Sequence, residues 1–171
     1  MGRIDNARIR VYAGMERFDD AWGSAHAALD RFRQLGNEMW HAHTQRDVGW
    51  LHLRQGSPDQ ALAPLTEAVD VTRRAGDAYA EAMARHLRGV AHRELGELSD
   101  ARGDLEAALA IYQAGAYEWN EAAVLHDLIR TLRADGASDE ADRMESSAIS
   151  TNPAFARMPG RDGARAIPDE E

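Results

Sequence analysis

The residues able to do chemistry here are histidines, carboxylates and arginines, and their spacing limits what that chemistry can be. The run His92-Arg93-Glu94 has the look of a catalytic or metal cluster. A zinc-protease helix needs a second histidine four residues after the first, and "HRELG" has Gly96 there. His41 and His43 are two apart, so on a helix they point in different directions. His43 and Asp47 share a face at four apart, but one such pair is not a metal site. His52 and His92 stand forty apart, which suggests equivalent packing positions. The paired carboxylates Asp19/Asp20, Glu118/Glu121 and Asp139/Glu140 fall where helices begin, and there they complement the helix dipole. The expectation is no catalytic residue, no metal and no cofactor.

Composition narrows the field further. There is no cysteine, hence no disulfide, thiolate ligand or cysteine nucleophile. All 20 basic residues are arginine, so a phosphate loop with its lysine and Schiff-base chemistry are both excluded. A net charge of −9 opposes nucleic-acid and anionic-membrane binding. The sequence has no apolar run of membrane-spanning length, and its first residues lack the apolar stretch of a secretory signal. A cytoplasmic location is expected.

The elements that must position these side chains emerge when the sequence is slid along itself by forty residues. Ala21, Ala61, Ala101 and Ala141 then align, as do Ala28, Ala68, Ala108 and Ala148. Gly49 aligns with Gly89, Ala42 with Ala82 and Ala122, and Gly56 with Gly96 and Gly136. Each window reads as two helices with apolar residues at helical spacing and a glycine at the stop. Ser57, Pro58 and Gln60 mark one helix start, and Arg73, Arg74 and Gly76 its end. Pro64 lies inside that helix and is expected to disturb it. In the third window the first helix ends at Gly96, the second begins at Ser99 or Asp100 and ends at Gly115. Residues seven apart return to one helix face, so paired alanines let a neighbouring helix approach closely. One such hairpin cannot bury its apolar face alone, so hairpins must stack.

With these residues in register the chain resembles the tetratricopeptide repeat family. Gly49, Ala61 and Ala68, then Gly89, Ala101 and Ala108, stand at the family's small positions, and Pro153 stands at its terminal proline. The period is forty rather than thirty-four, a variety similar to that in bacterial signalling regulators. The family tryptophan is missing, with Gln45, Arg85 and Leu125 in its place. The resemblance implies an all-α, right-handed array of about four units, at 1–36, 37–76, 77–115 and 116–153. Residues 154–171 hold two prolines and two glycines without periodicity and are expected to be disordered.

The resemblance also implies a concave surface lined by the first helix of each unit. Mapped onto this chain, it carries His43, Arg46 and Trp50, then His86 and Arg93, then His126, Arg130 and Arg133. Arginine pairs carboxylates through two hydrogen bonds and tryptophan anchors apolar groups, so the expected ligand is a protein or peptide segment, acidic or C-terminal. The plainer alternative is that these are solvated arginines and packed histidines of an ordinary repeat. The family's chaperone-binding carboxylate clamp is not reproduced, since its lysines are missing. The functional expectation is a non-catalytic binding scaffold. Its alternatives are a sensory or oligomerising arm of a larger regulator, or a small-molecule receptor; self-association is compatible with all three.

Overall fold

The computed structural model describes residues 2–158, with side chains from Asn6 onward. These residues form α1 (Gly2–Gly14), α2 (Phe18–Gln34), α3 (Glu38–Arg54), α4 (Pro58–Ala75), α5 (Ala78–Glu94), α6 (Leu98–Ala114), α7 (Glu118–Ala134), α8 (Ser138–Thr151) and the short α9 (Pro153–Arg157). There is no strand among the described residues. Every helix packs against the next, giving four hairpins stacked in order.

The turns show why the register is so regular. Glu16, Gly36, Gly56, Gly76, Gly96, Ala116 and Gly136 fall every twenty residues, and all adopt the left-handed conformation, with φ between 56° and 79°. The N–H of each following residue, from Arg17 to Ala137, reaches back to the carbonyl five positions earlier at 2.9–3.0 Å. This closure satisfies carbonyls that the helix end leaves unpaired. The third-unit stop falls at Gly115 as expected, as the C-cap of α6, but Gly115 does not make the left-handed turn. The left-handed residue is instead Ala116, and Gly115 has φ of −93°. Gly115 is required for another reason: the Tyr117 ring lies where its Cβ would be.

Helix starts differ from expectation in two places. Ser57 occupies the N-cap of α4, but its side chain makes no capping bond; Asn37, Asp77 and Asn152 do cap theirs. Helix α6 begins at Leu98, before Ser99. Helix α4 runs unbroken through Pro64, without the hydrogen bond that the Gln60 carbonyl would otherwise accept there.

The alanine columns are the seams of the stack. Ala21, Ala28, Ala61, Ala68, Ala101, Ala108, Ala141 and Ala148 are all buried. A Cβ on Gly49 would collide with the Leu65 side chain. A Cβ on Gly89 would meet Leu105 Cγ at 2.7 Å and the Ala101 carbonyl oxygen at 3.1 Å. Small residues on one helix thus admit leucines from its partner, and burial of Leu65, Leu105, Leu128 and Leu132 supplies the drive.

The curvature follows from which helices touch across units. The odd-numbered helices contact one another, α1 with α3, α3 with α5, α5 with α7 and α7 with α9. The even-numbered helices stand further apart, linked by long side chains such as Arg102 to Glu140 at 2.7 Å. The odd helices therefore line the inner side of the array.

The predicted tail begins inside ordered structure. Helix α9 buries Ala154 and Phe155, and Met158 beyond it is buried too. Asn152 fixes the junction by accepting from the Phe155 N–H at 3.0 Å and donating to the Glu118 carbonyl at 3.2 Å. The rest of the predicted tail, 159–171, lies outside the described residues.

Candidate functional site

The inner face carries two clusters of charge, each centred on one aspartate. Asp47 on α3 and Asp127 on α7 are eighty residues apart and occupy the same repeat position. Both are buried. Asp127 Oδ2 lies 2.8 Å from His86 Nε2, and Asp127 Oδ1 accepts from Arg93 Nη1 at 2.6 Å. Arg93 also donates to the Asp127 backbone carbonyl at 3.3 Å. Burial alone would push this carboxyl up, but the His86 hydrogen bond and the charges of His86 and Arg93 outweigh it and hold the carboxyl at about 2.

Asp47 is served differently. Its Oδ1 accepts from Arg46 Nη2 at 3.1 Å and from Arg10 Nη2, on α1, at 3.3 Å. Arg46 Nη1 turns to the Met83 sulfur at 3.2 Å, the polar link from this cluster to α5.

The other predicted groove residues are spread along the same layer. His43 is half-buried, its ring 5.3 Å from that of Trp40. Trp50 is half-buried, and the Arg54 guanidinium stands over its ring at 5.4 Å. His126 stacks flat on Phe155, centroids 4.1 Å apart, so α9 covers that end of the face. Burial lowers the basicity of His126. Arg130 is exposed. Arg133 turns to α8, donating to Asp142 at 3.0 Å and Glu145 at 2.6 Å.

Thus Arg46 joins Asp47, and His86 and Arg93 join Asp127, with Arg130 bearing on the second cluster through its charge near Glu94, while His43, Trp50, His126 and Arg133 belong to neither. Sequence reasoning missed the two aspartates themselves, Arg10 and Arg54. The signal for the aspartates was present: Asp47 and Asp127 are in register, each directly after a predicted groove residue, Arg46 and His126. The intervening register position holds Leu87, which hid the column.

Glu94 adds negative charge to the second cluster. Burial raises its carboxyl, against the nearby charges of Arg93 and Arg130, while Asp127 raises it further. Among the described residues, the only three metal-ligand side chains that converge are His92, Glu97 and Asp100 at the α5–α6 turn. Two of these are exposed, and His92 Nδ1 already pairs with Glu97 Oε2 at 2.6 Å.

The sequence over residues 1–74 matches the family model for the tetratricopeptide repeat. No curated protein matches. Among solved structures, the chain is similar to the nearly identical TPR-like repeats of a candidate kinesin light chain from Podosopora anserina. That match has 16% identity and a TM-score of 0.77, and covers 95% of this chain and 79% of that one. A single-substitution variant of those repeats matches at 17% identity and a TM-score of 0.78, over 93% and 79% of the two chains. At these identities the likeness is one of fold.

Proposed function

We propose, for a chain whose first 74 residues belong to the tetratricopeptide repeat family and whose later hairpins repeat their plan, that it is a non-catalytic scaffold holding an acidic protein segment on its inner face. The observation that carries this reading is the unequal charge balance of the two clusters. Around Asp47, one carboxylate faces Arg10 and Arg46, and Arg54 adds a further positive charge on Trp50. Around Asp127, Arg93 and Arg130 are matched by Asp127 and Glu94. The Asp47 cluster thus sets three arginines beside one carboxylate, in a chain of net charge −9. A carboxylate arriving there meets arginines suited to bidentate pairing, beside a half-buried indole able to take an apolar neighbour.

Arg93, His86 and Arg46 act on this reading as parts of the frame, and Arg10, Trp50 and Arg54 as the contacts. Among the described residues no helix is long and apolar enough to cross a membrane. The test is selection of random displayed peptides on the purified chain. Enrichment of acidic peptides with an aromatic or aliphatic residue is the expected result. Trp50→Ala and Arg54→Glu should each weaken the selected peptide at least tenfold, a change of about 1.4 kcal/mol, without lowering the melting temperature by more than a few degrees. Enrichment of basic peptides, or binding indifferent to both substitutions, contradicts the proposal.

A further inference from the structure

The two aspartate clusters occupy equivalent places, yet the helix facing each aspartate carries different residues. Forty-one positions before Asp127 is His86, and forty-one positions before Asp47 is Asn6. Thirty-four before Asp127 is Arg93, and thirty-four before Asp47 is the buried Ala13. The α1–α3 step thus lacks both donors that serve the aspartate of the α5–α7 step. Arg10 and Arg46 compensate, but both go to Oδ1.

What remains is a pair of orphaned atoms. Asp47 Oδ2 and Asn6 Nδ2 are both buried, and neither has a hydrogen-bond partner among the described residues. Their residues are 1% and 7% exposed. The imidazole Nε2 of His86 lies three bonds beyond its Cβ and reaches its carboxylate at 2.8 Å. An asparagine amide nitrogen lies two bonds beyond Cβ, one fewer, and Asn6 Nδ2 makes no hydrogen bond to Asp47 Oδ2. Buried polar atoms of this kind are normally satisfied by the protein or by an ordered water.

We propose that one water molecule sits between the Asn6 amide and Asp47 Oδ2 and joins α1 to α3. The chemistry selects it. Asp47 Oδ2 requires a donor and Asn6 Nδ2 an acceptor, and water is both. Asn6 Oδ1 accepts from Thr44 Oγ1 at 3.2 Å; if the amide is turned, so that its nitrogen donates to that hydroxyl, water donates to both remaining oxygens instead. A cation is opposed because Arg10 and Arg46 already outnumber the one carboxylate. The first step of the array is thereby bridged by an exchangeable molecule, where the α5–α7 step is bridged by a side chain. This inference is independent of what the inner face binds.

The test has two arms, both on the full chain. A crystal structure at high resolution should show a density peak within hydrogen-bonding distance of both the Asn6 amide and Asp47 Oδ2. Direct contact between the two, or a dry gap, overturns the proposal. The second arm is Asn6→His, which should displace the water by placing a ring nitrogen against Asp47. The expected result is a melting temperature higher by ~3 °C and loss of the density peak. An unchanged or lower melting temperature with the peak still in place overturns it.

Discussion

The two ends of the inner face solve one problem by different means. At the α5–α7 step, a buried carboxylate receives one neighbouring group on each oxygen, His86 on Oδ2 and Arg93 on Oδ1. At the α1–α3 step the equivalent carboxylate receives two arginines on one oxygen and none from the protein on the other. The first arrangement serves both carboxylate oxygens; the second leaves one to be served from outside the protein. A repeat protein can therefore keep one backbone plan throughout and still serve equivalent buried carboxylates differently; on the proposed function, that difference leaves the α1–α3 end to the partner.

Removing the carboxylates should break this comparison most visibly. Asp127→Ala strands a part-buried arginine and a buried histidine, and should cost ~3–5 kcal/mol of unfolding free energy. Asp47→Ala should cost less, ~1–3 kcal/mol, because the Arg10 side chain is a quarter exposed and keeps some water. Chemical denaturation of both variants measures the pair, and equal losses would remove the distinction. His86→Asn is the converse of the α1 substitution, copying the open arrangement into the closed step. It should cost ~1–3 kcal/mol and leave Asp127 with an unserved oxygen.

Acid sharpens the same contrast. Asp127 is held at about 2 in the folded chain against an ordinary 3.8, so its folded form binds a proton less readily than the unfolded chain does. That stabilisation is present above pH 3.8 and is lost as pH falls toward 2, on the order of 2 kcal/mol. The stability difference between the parent and Asp127→Asn should shrink over that window. The smallest effect is expected at a turn. Ala116 is left-handed at φ 56°, where its Cβ is strained, so Ala116→Gly should raise stability by ~1 kcal/mol.

Much of the frame was legible in the sequence because packing repeats residue types. Ala21 to Ala148 and Gly49 and Gly89 must be small wherever helices close on one another, and that need writes itself at a fixed spacing. The helix stop at Gly115 was legible, but the left-handed turn at Ala116 was not, because tertiary structure forces an ordinary residue into a glycine conformation. Helix α9 was hidden by its length: five residues show no period, and Phe155 and Met158 reveal themselves as core only once α7 is in place. Of the arginines expected on the inner face, Arg46 and Arg93 meet buried aspartates, while Arg133 turns to α8. The carboxylates they meet within the chain were not legible, because Asp47 and Asp127 are separated from their partners by 34 to 41 residues for every cross-helix contact.

The division of the inner face is tested most directly by following arginine Nε and tryptophan indole resonances while a selected acidic peptide is titrated into the full chain. The account predicts that Trp50, Arg54 and Arg10 shift with the peptide while Arg93 stays still. Early movement of Arg93, with Trp50 and Arg54 unmoved, would contradict it.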